Sequence, residues 1–403
     1  MITVAEAESL LAHLPCATRI EHRPLTQAIG CILAEPIRAR EPSPPFTNSA
    51  MDGYAIRFAD YQRLGTATPF RIVGESAAGH PYQGRIPEGG AVKISTGAPL
   101  PADADTVVPV EDVTVDGDAL HIEQPPRKGQ HVKVAGTEFP PGTVLINAGQ
   151  LLLPPHLALI ASQGITQVAI YAPPRVAILV SGDELVDITA QPLFGQIRDS
   201  NSLMLQLAAA QAGASVVQVR RVPDHLAATI AAVEEAVAEA DIVISSGGVS
   251  VGEHDHIRAA LQRLEFQELF WRIKQKPGKP MFAATRSEKL FFSLPGNPVS
   301  AYICFIHYLY PLLRRWQHHP RPHLDTLDAV LTQEVQNTQD RLHFVRVRLR
   351  REGETITATP LPRQASYMLT TIAGADGYIK VGPRMTVPAG VTVTAYLFPG
   401  AVV

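Results

Sequence analysis

"KLFFSLPGNPVSAYICF", Lys289 to Phe305, holds an apolar strand, a Pro-Gly-Asn-Pro turn and the start of a helix. The same order occurs upstream. "RVAILVSGDEL" (175–185) runs from an apolar strand into a polar glycine turn, and "SLMLQLAAAQAGA" (202–214) reads as a helix closed by Gly213. "HLAATIAAVEEAVAEA" (225–240) sets Leu226, Ile230, Val233 and Val237 on one helical face. "ADIVISSGGVSVGEHD" (240–255) is another strand with a Gly-rich exit. Strand–turn–helix repetition predicts a three-layer α/β domain over 173–320, with a mostly parallel sheet covered by helices on both faces.

Outward from this centre the rhythm changes. Residues 45–138 alternate short β-rich runs with Gly and Pro turns, and Asp116-Gly117 between two alternating runs predicts a hairpin. This is a small β domain. Thr3-x-x-Glu6 is a capping box, with a helix expected to about Leu14, and "LLLPPHLALIASQGI" returns to helix after the β segment. Residues 1–44 and 139–172 therefore read as one discontinuous N-terminal helical/β module, with 45–138 inserted. In "HFVRVRLRREGETITAT", Val345, Val347 and Leu349 alternate with Arg346, Arg348 and Arg350, so 321–403 is expected to be a C-terminal barrel or sandwich with the arginines toward solvent.

The totals exclude several functions. Among 403 residues, 35 Lys and Arg oppose 38 Asp and Glu, a formal charge of −3. No global basic field exists to hold nucleic acid or an anionic membrane, so an anion site must be built locally. Three cysteines without a CxxC pair suit a reducing compartment. The N-terminus has no basic leader with a long apolar core, and Val299 to Leu313 is too short to span a bilayer. A cytoplasmic protein is expected.

In open parallel sheets, ligands bind beyond the carboxyl ends of the strands. "SGDEL" (181–185), "SSGGVSVGEHD" (245–255) and "LPGNP" (294–298) occupy that edge, with Gly247, Gly248, Ser250, Pro295, Gly296 and Asn297 among them. Glycine lets backbone N–H groups approach an oxyanion, and helix N-termini add positive dipole. Asp183, Glu184, Glu253 and Asp255 would repel a bare phosphate, so a hard cation such as Mg²⁺ is expected between acid and anion. "KQKPGKP" (274–280) adds lysines around a Pro-Gly turn, point charges suited to an anionic leaving group. Gly248 to Gly252 matches G-x-S-x-G, but Ser245, Ser246 and Gly247 separate strand from turn and no His-Gly-Gly segment lies upstream, which argues against a serine hydrolase. His254 and His256 lack a second ligand pair for zinc. "PPFTNSAMDGYAIR" (44–57) presents an exposed-looking Asn48-Ser49 pair and an Asp52-Gly turn, which either merely connects strands or binds something polar.

"SAMDGYA", "STGAPLPADADTVVPVED", "SGDEL", "DSN", "GGVSVGEHD", "KPGKP" and "LPGNPVSA" occur here in one order. Together they closely resemble the molybdopterin molybdenumtransferases, the MoeA family that includes the gephyrin E domain, over nearly the whole chain. The resemblance implies an enzyme of molybdenum cofactor synthesis. It would take adenylylated molybdopterin and molybdate, release AMP with Mg²⁺ assisting, and leave molybdenum on the dithiolene. It implies an elongated N-terminal module, a molybdopterin-binding α/β domain, and a C-terminal β-barrel. It also implies a homodimer whose site lies between the central domain of one subunit and the β domain of the other. A molybdopterin adenylyltransferase and downstream cofactor-handling proteins or molybdoenzymes would be its partners.

Residue by residue, Asp52 resembles the family's essential acid, with Asn48, Ser49 and Thr96 near the substrate. Glu184 and Asp255 resemble catalytic or metal-binding acids. Asp224 resembles a functional acid and also stands where a helix N-cap belongs. Asp199, Ser200 and Asn201 resemble a substrate-contacting "DSN", while Ser200 or Asn201 could equally cap a helix. Lys276 and Lys279 resemble the lysines that hold phosphate and adenylate. Arg346 and Ser366 stand where the family has an Arg and a Ser linked to molybdate, and Asp376 replaces the family's usual Asn.

Overall fold

The computed structural model describes residues 1–247 and 256–402. The chain forms two compact units, one of residues 1–34, 149–153 and 167–403, the other of 35–148 and 154–166.

In the first unit, the six-stranded sheet runs in the order Ser215–Val222, Arg175–Ser181, Ile242–Ser246, Lys289–Leu294, Phe282–Arg286, Gln267–Trp271. The first four strands are parallel and the last two antiparallel. Alternation along one strand builds the layers. Val176, Ile178 and Val180 pack with Leu205, Ala208 and the helical residues 299–316, whereas Ala177 and Leu179 pack with Ala232, Val233, Val237 and Leu261 on the opposite face. Each such Leu or Val buried is worth about 1.5–3 kcal/mol. In the helix Leu226–Glu239, Val233 and Val237 are buried as the periodicity predicts, while Leu226 and Ile230 are half-buried at the face's edge.

The last helical stretch comprises Pro298–Cys304, a π-turn Phe305–Leu309, and Tyr310–Trp316. Pro311 has no N–H and its ring crowds the carbonyl four residues back, that of His307, so the helix widens there. The wide turn aims two successive polar side chains inward. His307 Nδ1 meets the Tyr378 hydroxyl at 2.7 Å and Nε2 meets Glu8 at 2.8 Å, and the Tyr308 hydroxyl donates to Gln275 Oε1. Glu8 comes from the helix Val4–Ala12, which Thr3 and Glu6 cap reciprocally as the capping box predicts.

Burial pulls the His307 imidazole below its ordinary 6.5, so it is neutral at pH 7, donating from Nε2 and accepting at Nδ1. The His307 hydrogen bond, aided by Lys380 against the opposing effect of burial, holds the Glu8 carboxyl down to about 2. Both folded pKa values are depressed. Their stabilisation is therefore present above 6.5 and 4.5 respectively and is lost as pH falls through the folded values. Urea midpoints are expected to decline on acidification from about pH 7 to about pH 2, and Glu8→Gln should flatten the part of that profile below about pH 4.5. An unchanged profile in the variant would remove Glu8 from this role.

The C-terminal strands Thr326–Leu331, Leu342–Glu352, Thr355–Pro360, Gly377–Val381 and Thr392–Leu397 close into a five-stranded barrel, because Leu342–Glu352 pairs with Gly377–Val381 as well as with Thr355–Pro360. Val345, Val347 and Leu349 fill it, with Ile379, Val381 and Ala395. Gln275–Lys276 adds in parallel to the long strand, pairing Lys276 with His343.

In the second unit, a six-stranded sheet runs Thr106–Pro109, Gly53–Ile56, Gly90–Ile94, Phe70–Ser76, Ala119–Ile122, Val113–Asp116. The last two strands form the hairpin expected at Asp116-Gly117. Among the described residues, no helix is long and apolar enough to cross a membrane.

Candidate active site

Two adjoining cavities lie at the carboxyl edge of the parallel sheet. The first, of about 710 Å³, is lined by the strand exits Ser181 and Ser246, by Glu184, Asp199, Ser200, Asn201 and Asp224, and by Gly247, Pro295, Gly296 and Asn297. The "SGDEL", "DSN" and "LPGNP" loops thus share one wall. The second, of about 560 Å³, is lined by Lys276, Lys279, Arg341, Ser300, Gln364 and Ser366, among others. Pro280, Pro295, Asn297 and Tyr367 belong to both. A third cavity, of about 790 Å³, surrounds Glu8, His307 and Lys380, whose polar groups bond one another; the site is therefore assigned to the first two.

Local chemistry explains the first cavity. Gly247 has φ +92°, and a Cβ there would lie 2.6 Å from the Ser181 carbonyl oxygen, so only glycine lets these two strand exits meet. Asp199, not Ser200 or Asn201, caps the following helix, accepting from the Ser202 N–H at 3.0 Å and its hydroxyl at 2.5 Å. Asn201 is left to tie strand exits together: Nδ2 donates to Ser246 Oγ at 2.9 Å and to the Gly296 carbonyl at 2.7 Å. Its Oδ1 is buried without a partner among the described residues, an acceptor at the cavity wall. The N-cap reading of Asp224 is corrected. His225 caps the helix through Nδ1, which accepts the Ala228 N–H at 3.2 Å, and Asp224 lines the cavity instead.

The second cavity is cationic. Arg346 corrects the solvent-facing expectation, because it is fully buried while Arg348 and Arg350 are exposed. The 361–366 segment covers it. Gln364 brackets the Arg346 backbone, accepting its N–H at 3.1 Å and donating to its carbonyl at 3.1 Å. The guanidinium has one long bond, Nη2 to the Ala365 carbonyl at 3.4 Å, and its Nε and Nη1 have no partner among the described residues. Burial lowers its pKa to about 10, which leaves it charged at pH 7. His343 is buried nearby with Nε2 unpartnered among the described residues; burial, then Lys276, Arg346 and Arg341, hold it down to about 4, hence neutral. Unpaired buried cations are costly unless an anion meets them. Ser366 offers a hydroxyl, itself accepting from Asn297 Nδ2 at 3.1 Å.

Asp52 belongs to the second unit. Its Oδ1 accepts the Thr96 N–H at 2.6 Å and the Thr96 hydroxyl at 2.9 Å, and these bonds hold its carboxyl below the usual range. Asn48 and Ser49 are buried, not exposed. Asn48 Nδ2 donates to the Phe46 carbonyl at 3.2 Å and Ser49 Oγ to the Met51 carbonyl at 2.6 Å, so they shape the turn that presents Asp52. Gly248, Ser250 and Asp255, with Glu253, His254 and the G-x-S-x-G match, lie outside the described residues.

Among the described residues no three His, Cys, Asp or Glu form a metal cage. Among the described residues the first cavity nevertheless offers hard oxygen donors, Glu184, Asp199, Asp224 and the orphaned Asn201 Oδ1 among them, and no imidazole or thiolate. That set fits Mg²⁺, which keeps several waters and needs only one or two carboxylates beside substrate phosphates. Sequence reasoning missed Arg341, Ser300, Gln364 and Tyr367. Ser300 lies within "LPGNPVSA" but carries no role in that reading, nothing local marks the other three, and Gln364 and Tyr367 reach the edge on the 361–369 segment.

The α/β domain with its cavity at the sheet edge, followed by a closed barrel, defines a class. Residues 177–315 match the model of a probable molybdopterin binding domain, 2–164 that of the MoeA N-terminal region (domain I and II), and 328–398 that of the MoeA C-terminal region (domain IV). The chain is 35% identical to the molybdopterin molybdenumtransferase of Haemophilus influenzae across 98% of each protein. It is 30% identical to that of Bacillus subtilis across 94% of this chain and 89% of the relative. A solved molybdopterin biosynthesis MoeA protein from Pyrococcus horikoshii superimposes with a TM-score of 0.84 at 28% identity, covering 99% of this chain and all of that one. The chain belongs to the MoeA family of molybdopterin molybdenumtransferases.

Proposed function

We propose that the chain inserts molybdenum from molybdate into molybdopterin, taking the adenylylated form as substrate and releasing AMP. The observation that carries this reading is the buried Arg346 guanidinium. Its Nε and Nη1 have no partner among the described residues, and its Nη2 bonds the carbonyl of Ala365, which lines the cavity that Lys276 and Lys279 also line; that cavity adjoins one lined by carboxylates. A tetrahedral oxyanion wants a charged fork and a hydroxyl, which Arg346 and Ser366 supply.

Lys276 and Lys279 offset the charge on the departing AMP phosphate. Asn201, Gly247 and the "LPGNP" turn position the pterin side of the substrate. Glu184, with Asp255, would hold Mg²⁺, which when bound would neutralise the phosphate linkage. Asp52, kept ionised by Thr96, takes protons rather than giving them at neutral pH. Asp224 and Glu184 carry protons toward the oxygens that leave as water. On the same reading the chain works as a cytoplasmic homodimer that receives its substrate from a molybdopterin adenylyltransferase and passes its product to cofactor-handling proteins or molybdoenzymes.

The test is molybdate-dependent AMP release from adenylylated molybdopterin, repeated with tungstate. Asp52→Ala and Lys279→Ala should each slow release by about a hundredfold or more. Normal rates in both would overturn the roles assigned to these two side chains. A requirement for ATP would instead favour an adenylyltransferase.

A further inference from the structure

Tyr367 stands where the two cavities meet and lines both. It is the only aromatic side chain among the described residues lining either. It is 70% exposed, so core packing does not explain it. Its backbone is nonetheless fixed. The Ser366 carbonyl accepts the Val299 N–H at 3.1 Å, at the start of the helix Pro298–Cys304, and the Ser366 hydroxyl accepts from Asn297. The Tyr367 carbonyl accepts the Leu369 N–H at 3.2 Å. A free ring on a pinned backbone, beside lysines and facing a polar cavity, is an unused stacking surface. Bases stack on such rings because every base has a π-face, and a tyrosine loses little freedom in doing so.

We infer that Tyr367 is the platform on which the base of the nucleotide moiety stacks, and so a binding residue for the substrate's AMP portion. The inference rests on the proposed role of Lys276 and Lys279 in holding the nucleotide phosphate. With the phosphate in the lysine-lined cavity, the base of the same nucleotide has one described ring within that wall to lie against.

Calorimetric titration of the full chain with AMP and with ribose 5-phosphate separates base from phosphate. The wild type should bind AMP about tenfold or more tightly than ribose 5-phosphate, in line with the usual worth of one stacked base. Tyr367→Phe should keep that preference. Tyr367→Ala should abolish it while leaving ribose 5-phosphate affinity unchanged; the exposed position spares the core, and equal urea midpoints check this. An undiminished preference in Tyr367→Ala, or none in the wild type, overturns the inference. If the preference follows Tyr367 but Lys279→Ala leaves ribose 5-phosphate affinity intact, the stacking stands and the lysine role falls. Absence of binding by either probe to the wild type overturns both.

Discussion

Arg346→Met should slow molybdate-dependent AMP release by roughly a hundred- to a thousandfold while leaving the protein as stable as before, or more so. The two effects have one origin. The guanidinium is fully buried, carries its charge at pH 7, and has two nitrogens, Nε and Nη1, without partners among the described residues. Replacing a buried charge that lacks a counter-ion by an apolar side chain of similar volume is neutral or stabilising by about 1–4 kcal/mol. A donor preorganised toward developing charge is worth roughly 10²–10³ in rate. Urea midpoints and AMP release, measured on one preparation, check both. Arg346→Lys should recover only part of the rate, because an ammonium lacks the planar fork. A methionine variant that unfolds more easily yet turns over normally would make Arg346 a structural residue.

Gly278→Ala should be the most disruptive single-carbon change in the lysine turn. Gly278 has φ +90°, and a Cβ there would lie 2.4 Å from Cys304 Sγ and 2.6 Å from Gln275 Nε2. Left-handed strain and overpacking each cost about 1–3 kcal/mol, so a loss of roughly 3 kcal/mol or more is expected. The damage reaches the site. Gln275 Nε2 donates to the Pro277 carbonyl at 3.1 Å, so displacing Gln275 shifts the backbone between Lys276 and Lys279 and slows AMP release. Adding Cys304→Ala relieves the sulfur contact but neither the backbone strain nor the Gln275 contact. The double variant should therefore be more stable than Gly278→Ala alone, a coupling that only neighbouring sites show. Strict additivity would mean that the cavity around Cys304 already gives way.

Much of this was legible in the chain. Strand–turn–helix repetition made the parallel sheet plain, and the sheet rule put "SGDEL" and "LPGNP" on one edge, where one cavity unites Glu184 with Gly296 and Asn297. What could not be read depends on contacts distant in sequence. Alternation assigns Arg346 to the barrel's outer side correctly, yet nothing within a few residues announces that 361–366 will cover that side. Asp224 looks like a cap because acids often are, but His225 takes the role one residue later. Asn48 and Ser49 look exposed because polar turn residues usually are, whereas here their side chains satisfy turn carbonyls. His307 looks like an interruption of an apolar helix; its partners Glu8 and Tyr378 lie far along the chain on either side.

The short pairing of Gln275–Lys276 with the long barrel strand reaches beyond local geometry. A segment encoded within the α/β part is woven into the C-terminal module, so the tidy boundary near residue 320 is not a mechanical one. Grafting the final eighty or so residues from a relative would transplant half of a shared seam. Such chimaeras should work only when the lysine turn travels with its adopted strand, which makes the two stretches a single unit of inheritance.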